Sequence, residues 1–215
     1  MNLALLERGF EIAAVSFAAL SGVVDARRRN LDLVGAFVVG LLAAFGGGTL
    51  RDVLLDRRPL FWVARPEYVV LVLVLALLHL YCPQALRPLR RRPVQALADV
   101  LDAVALGLFG GLGVQAALAL ETPPFVAVLF GVMTGAFGGV LRDVVLNETP
   151  QLFRPTSQLY AVPVFTGGLA QVALVEFGAS ASSALTTGAL LTIAFRLAAM
   201  RWNWRLPAPR PESAD

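Results

Sequence analysis

The segment GGGTLRDVLLDRRP (Gly46–Pro59) recurs 91 positions later as FGGVLRDVVLNETP (Phe137–Pro150). Gly47, Gly48, Leu50, Arg51, Asp52, Val53, Leu55 and Pro59 correspond without a gap to Gly138, Gly139, Leu141, Arg142, Asp143, Val144, Leu146 and Pro150. Upstream, Ala36, Gly40, Ala44 and Gly48 correspond to Ala127, Gly131, Gly135 and Gly139. Glu11, Ala14 and Gly22 correspond to Asp102, Ala105 and Gly113. A duplication on this scale constrains the fold strongly, because both copies must build the same unit.

The repeated unit is made of apolar runs. A membrane-spanning helix needs about 20 mostly apolar residues, and seven runs approach that length. They are Phe10–Val24, Leu31–Leu50, Tyr68–Cys82, Leu97–Leu120, Phe125–Leu146, Gln158–Phe177 and Ser183–Met200. The chain is 57% hydrophobic and only 15% charged, with mean hydropathy +0.71. A soluble domain has roughly 45–50% apolar and about 25% charged residues. Spans 1–3 are thus duplicated as spans 4–6. Three crossings per copy turn the second copy upside down, giving an inverted repeat about a pseudo-two-fold axis in the membrane plane.

The expected fold is an all-α membrane protein with seven transmembrane helices, an inverted 3+3 repeat plus a seventh helix. A single transmembrane domain covers residues 1–205, with repeat 1 at about 7–83, repeat 2 at about 98–177 and the seventh helix at about 183–200. The Pro-rich polar end, residues 206–215, reads as a disordered cytoplasmic tail.

Every basic residue is an arginine. The joins after spans 1, 3 and 5, with the tail, hold Arg27–Arg29, Arg87, Arg90–Arg92, Arg154, Arg201, Arg205 and Arg210. The opposite side holds Arg8, Arg57, Arg58 and Arg65. Positive loops stay in the cytoplasm, so the C-terminus is expected there and the N-terminus outside. Trp62, Trp202 and Trp204 fall where aromatic rings favour the membrane interface. Arginines confined to joins between apolar runs do not form a nucleic-acid patch. A lone Cys82 excludes an intrachain disulfide, and a lone His79 reads as a packing residue, with no metal site. HExxH, nucleophile-elbow and P-loop patterns are all missing from the sequence, which argues against an enzyme, and no cofactor is implied.

The motif itself is costly in a membrane. Each glycine in a helix costs about 1 kcal/mol against alanine, so Gly46, Gly47, Gly48, Gly138 and Gly139 predict kinks or breaks in spans 2 and 5. Arg51, Asp52, Arg142 and Asp143 follow within a turn, and a charge at the bilayer centre costs about 2.5–3.5 kcal/mol on insertion scales. Charges facing a hydrated interior, paired with carboxylates, resolve this. The symmetry of the copies suggests the pairs Glu11–Arg51 and Asp102–Arg142. Asp99 shares the face of Asp102, and Asp25 reads as a loop charge.

These residues together resemble the bacterial and archaeal branch of the TRIC family, the trimeric intracellular cation channels. GGGTLRD, its echo GGVLRD and the acids opening spans 1 and 4 carry the resemblance, which covers Glu11 to Met200. It implies a homotrimer in the inner (plasma) membrane of a prokaryote. Each protomer would hold its own pore, lined by spans 1, 2, 4 and 5, conducting monovalent cations such as potassium under voltage control. On this chain the kinks would be Gly46–Gly48 and Gly138–Gly139. The residues at the pore or its gate would be Arg51, Asp52, Arg142, Asp143, Glu11, Asp102 and Asp99. Phe137 replaces the first glycine in the second copy, implying a milder kink there. Animal members bind phosphoinositide at a Lys-Glu-Val element that reads Arg-Asp-Val here, so that property is not carried over. Two other readings compete: a secondary transporter of a small metabolite or ion, since inverted repeats also build transporters, and a membrane enzyme or scaffold.

Overall fold

The structure is a computed structural model that describes residues 2–81, 93–154 and 158–207. Cys82, Arg87–Arg92, residues 208–215 of the tail and the side chain of His79 lie outside the described residues.

Among the described residues there are seven α-helices: α1 (Leu3–Arg28), α2 (Leu33–Leu54), α3 (Glu67–Tyr81), α4 (Pro93–Leu118), α5 (Pro124–Val145), α6 (Ala161–Glu176) and α7 (Ala181–Arg201). A 3-10 turn, Gln151–Phe153, precedes α6. Five are long and apolar enough to cross a membrane, while α3 and α6 are shorter apolar helices. The inverted repeat pairs α1–α3 with α4–α6. Partners match closely in length, with 26 residues in both α1 and α4 and 22 in both α2 and α5. Helix α1 starts well before the apolar run at Phe10, because the mixed stretch LALLERG continues the helix beyond its purely apolar part.

Helix ends follow local chemistry. The Asp32 carboxylate accepts a hydrogen bond from the Gly35 amide at 2.8 Å and caps α2, and Ser180 caps α7. Proline occupies the first position of α5, where its missing N–H costs nothing. Helices α1, α2, α4 and α5 are each followed by a residue at positive φ: Asn30, Asp56, Glu121 and Asn147. Asn30 and Glu121 are equivalent across the repeat, as are Asp56 and Asn147, so the duplication extends to the turns.

Helix α4 is the centre of the bundle, packing on α5, α1, α7 and α6, while α2 packs on α5 and α1. Helix crossings use the small residues twice. A Cβ on Gly22 would lie 2.9 Å from the Val39 carbonyl where α1 meets α2, and one on Gly113 would lie 2.7 Å from the Phe130 carbonyl where α4 meets α5. The two halves join at α2–α5. There a Cβ on Gly47 would overlap the Thr134 carbonyl, and one on Gly138 would overlap the Ala43 carbonyl. Gly47 and Ala43 are the repeat equivalents of Gly138 and Thr134, so the contact reproduces itself about the pseudo-two-fold axis. Close backbone approach of this kind needs glycine.

Both α2 and α5 are continuous through their glycines, so neither helix is broken there. The expected break does not occur because the glycines sit at helix crossings, where dense packing supports the helical backbone. Trp202 and Trp204 stack on one another at the exposed end of α7, whereas Trp62 stacks on Phe45 and donates to the Thr49 hydroxyl.

Gly47→Ala and Gly138→Ala should each lower the thermal unfolding midpoint in detergent. Overpacking a crossing costs about 1–3 kcal/mol. Gly9→Ala, where an added methyl meets nothing within 4 Å, should leave it unchanged or higher. Equal midpoints for all three variants would disprove the crossing argument.

Candidate functional site

Helix α2 ends on Arg51 and Asp52, both buried. The Arg51 Nε donates to Asp52 Oδ1 at 2.8 Å, and Arg57 reaches the same oxygen at 3.4 Å. The Phe61 amide donates to Asp52 Oδ2 at 2.8 Å, and the Arg51 guanidinium lies over the Phe61 ring, 5.4 Å from its centroid. A Cβ on Gly48 would overlap that ring. The third glycine of the motif therefore makes room for the aromatic cover of the ion pair.

Helix α5 repeats the scheme. Arg142 Nε donates to Asp143 Oδ1 at 2.9 Å, and the Gln151 amide donates to Asp143 Oδ2 at 3.0 Å. Gly139 faces the Tyr160 hydroxyl as Gly48 faces Phe61. The surroundings differ, however. Arg142 also lies 3.4 Å from Asp102 and 3.4 Å from Asp25, and donates to the Ser21 hydroxyl at 3.1 Å. One buried guanidinium is thus shared among three carboxylates. An uncompensated buried charge is strongly destabilising, and three partners on three helices ensure that Arg142 is never left so.

The Asp102–Arg142 pair is where symmetry places it. The pair expected between Glu11 and Arg51 does not form. Glu11 is met instead by Arg65 at 2.8 Å and by the Tyr68 hydroxyl at 3.0 Å. Arg51 folds back onto Asp52 of its own helix, and the α2–α3 loop supplies Arg65, whose position in the second copy is Thr156. Asp25 is not a loop charge: it sits in α1, largely buried, between Arg142 and Arg28. Asp99 accepts from Gln151 Nε2 at 3.3 Å, which ties it to the Asp143 shell.

Some residues had no role in the sequence reading. Arg196, buried in α7, donates to the Leu159 and Gln158 carbonyls and to Gln151 Oε1, and lies over the Tyr160 ring. A lone arginine inside LLTIAFRLAAM was its signal. Ser21 and Gln115 are buried polar side chains with no distinguishing pattern around them.

Two cavities flank these clusters. One, of about 280 Å³, is lined by Glu7, Glu11, Arg51, Arg57, Gln115 and small or apolar residues of α4 and the turn after it. The other, of about 160 Å³, is lined by Asp25, Arg28, Arg29, Leu146 and Glu148. Ala116, Ala119, Leu120 and Arg57 of the first are the repeat equivalents of Asp25, Arg28, Arg29 and Glu148 of the second. The cavities are therefore inverted mates at opposite ends of the α1–α2–α4–α5 core. At the smaller one, burial pushes the Glu148 carboxyl up, but hydrogen bonds from Arg154 and Arg29 outweigh it and hold Glu148 below its ordinary 4.5. Among the described residues, no group of three or more His, Cys, Asp or Glu could hold a metal ion.

A family model described as "Glycine transporter" matches residues 9–84 and 99–176. The UPF0126 inner membrane protein YadS of Escherichia coli (strain K12) is 38% identical over 198 residues, 92% of this chain and 93% of that protein. Among solved structures, the TRIC trimeric intracellular cation channel orthologue from Rhodobacter sphaeroides is similar, with a TM-score of 0.83 and 31% identity over 92% of this chain and 98% of that one. A second TRIC cation channel covers 100% of both chains with a TM-score of 0.84 and 26% identity.

The lowered Glu148 value sets a pH test. Stability from this carboxylate is present above the ordinary carboxyl range and is lost as pH falls through the lowered folded value. A half-exposed pair contributes about 0–1 kcal/mol. Glu148→Gln should therefore be slightly less stable than the parent at pH 7, with the difference vanishing below pH 4.5. A difference constant across thermal melts from pH 3 to 7 would refute the assignment.

Proposed function

The chain belongs to the trimeric intracellular cation (TRIC) channel family, and from that premise we propose that it forms a path for monovalent cations, potassium above all, through each protomer of a homotrimer. The observation that carries this reading is the pair of inverted cavities at opposite ends of the α1–α2–α4–α5 core, each beside a buried arginine–aspartate motif. A pathway crossing a bilayer must serve both faces, and an inverted repeat supplies one mouth per copy.

In this reading the arginines are gating elements. A fixed guanidinium in a cation path is a barrier. Asp52 neutralises Arg51, and Asp102, Asp143 and Asp25 more than neutralise Arg142. Glu11, paired with Arg65, lines the larger cavity, and Asp99 is tied to the Asp143 pair through Gln151. A charge in the membrane field responds with about 2.3 kcal/mol per 100 mV, so displacement of either guanidinium would be voltage-dependent. In this reading Gly46–Gly48 and Gly138–Gly139 are kink positions of α2 and α5, the N-terminus lies outside, and the C-terminus lies in the cytoplasm of a prokaryotic cell.

A second reading, secondary transport of a small metabolite, is favoured by the description of the matching family model and by the mixed acid and base lining of the larger cavity.

Single-channel recording in planar bilayers under a potassium gradient tests the proposal. Discrete currents reversing near the potassium equilibrium potential are expected. Arg51→Ala and Arg142→Ala should shift open probability and its voltage dependence more than unitary conductance. Silence in bilayers with saturable substrate uptake into proteoliposomes would overturn the channel reading for the transporter.

A further inference from the structure

We propose that an apolar groove of about 460 Å³ along the outer side of α2 holds one acyl chain of an anionic phospholipid, with the headgroup phosphate at Arg58. The inference is independent of what the path through the protomer carries.

The groove follows α2 from Leu41 to Val53, about 18 Å at about 1.5 Å per residue. One leaflet supplies half of a hydrocarbon core about 30 Å thick, so the groove is about as deep as one leaflet. Side chains of α2 form most of it, with Val69 of α3 and Leu141 of α5, and none of the lining residues is charged. The Trp62 ring nitrogen donates to the Thr49 hydroxyl at 3.0 Å, so the polar groups of the lining are spent on one another. Ligand pockets span roughly 300–1,000 Å³. Water gains nothing in a space this apolar, and an unfilled space forgoes the dispersion contacts of its lining.

A flexible chain suits the groove better than a helix of a second copy. Helices meet in membranes through small residues that allow close backbone approach. Gly46 is the smallest residue in this lining, and a Cβ there would lie 2.7 Å from Leu141 Cδ1, so Leu141 already covers that backbone. Most of the other lining residues are larger and surround a recess, and Val53 and Leu141 are 46% and 37% exposed.

The end of the groove supplies the headgroup contact. The loop joining the lining residues Val53 and Trp62 carries Arg57 and Arg58. Arg57 turns to Asp52 at 3.4 Å, whereas the Arg58 side chain is 61% exposed and meets the exposed Asp56 at 4.0 Å. A guanidinium at the membrane surface attracts an anionic phosphate, and an indole such as Trp62 favours the same level. The second copy is not built this way. Phe137 puts a ring where Gly46 leaves a bare backbone, and neutral Thr149 stands at the position of Arg58.

Quenching of Trp62 by phospholipids brominated on one acyl chain tests the proposal. The full chain in detergent carries Trp202→Phe and Trp204→Phe, which leaves Trp62 as its sole indole. Quenching by brominated phosphatidylglycerol should saturate at one lipid per protomer, and brominated phosphatidylcholine should bind about fivefold more weakly. Arg58→Gln should remove that preference. Val53→Phe and Leu42→Phe, which each fill part of the groove, should weaken binding at least about tenfold. If the filled variants do not yield monodisperse protein, the headgroup comparison in Arg58→Gln decides. Quenching that does not saturate, equal affinity for the two headgroups in the parent, a preference that survives Arg58→Gln, or unchanged affinity in the filled variants would each overturn the site. An unquenched parent whose assembly is dissociated by Val53→Phe, read by light scattering, would overturn it in favour of a second copy.

Discussion

Two arginines buried near the ends of apolar helices impose the terms that the rest of this fold meets. A guanidinium cannot shed its charge in a protein interior, so each must be given carboxylates, donors and a cover. The chain does this twice. Asp52 and Asp143 sit one residue after their arginines, and each anchors a backbone amide of the following loop, Phe61 or Gln151. The ion pair on each helix thereby determines where the next segment runs. The aromatic residues above, Phe61 and Tyr160, approach closely only because Gly48 and Gly139 carry no side chain.

The glycines therefore have a different purpose from the one that helix propensity suggests. Gly47 and Gly138 let α2 and α5 touch through their backbones at the pseudo-two-fold axis, while Gly22 and Gly113 do the same for the crossings within each half. Where lipid replaces water outside the bundle, such contacts supply packing that hydrophobic exclusion cannot. The seventh helix is seated by the same device, since a Cβ on Gly188 would lie 2.8 Å from the Gly167 carbonyl. Through Arg196 it also holds Gln151, whose side-chain amide donates to Asp99 and whose backbone amide donates to Asp143.

Symmetry in the backbone does not extend to the charges. Glu11 and Asp102 are equivalent, yet one pairs with a loop arginine and the other with the motif arginine. Arg57 leans inward to Asp52, whereas its counterpart Glu148 reaches out to Arg29 and Arg154. The two cavities consequently differ in volume and in the charges that line them. A duplicated frame has been fitted with two unlike ends.

Much of this architecture was legible in the sequence alone. Seven apolar runs, a repeat at a 91-residue offset with a gapless core and three runs per copy determine an inverted all-helical bundle, because a membrane leaves few alternatives for an apolar segment. The small residues also marked the crossings, since only they admit backbone contact. What the tertiary structure alone decided is which charges meet. Arg65, Asp25, Ser21, Gln115 and Arg196 lie outside the repeated motif and have no counterpart of the same kind, so no internal comparison could flag them. Their long or distant side chains converge from α1, α4, α7 and a loop, and pairing of that sort depends on packing geometry in three dimensions. Even the uninterrupted course of α2 and α5 belongs here: a glycine run destabilises an isolated helix, but at a close crossing the neighbouring backbone holds it in place.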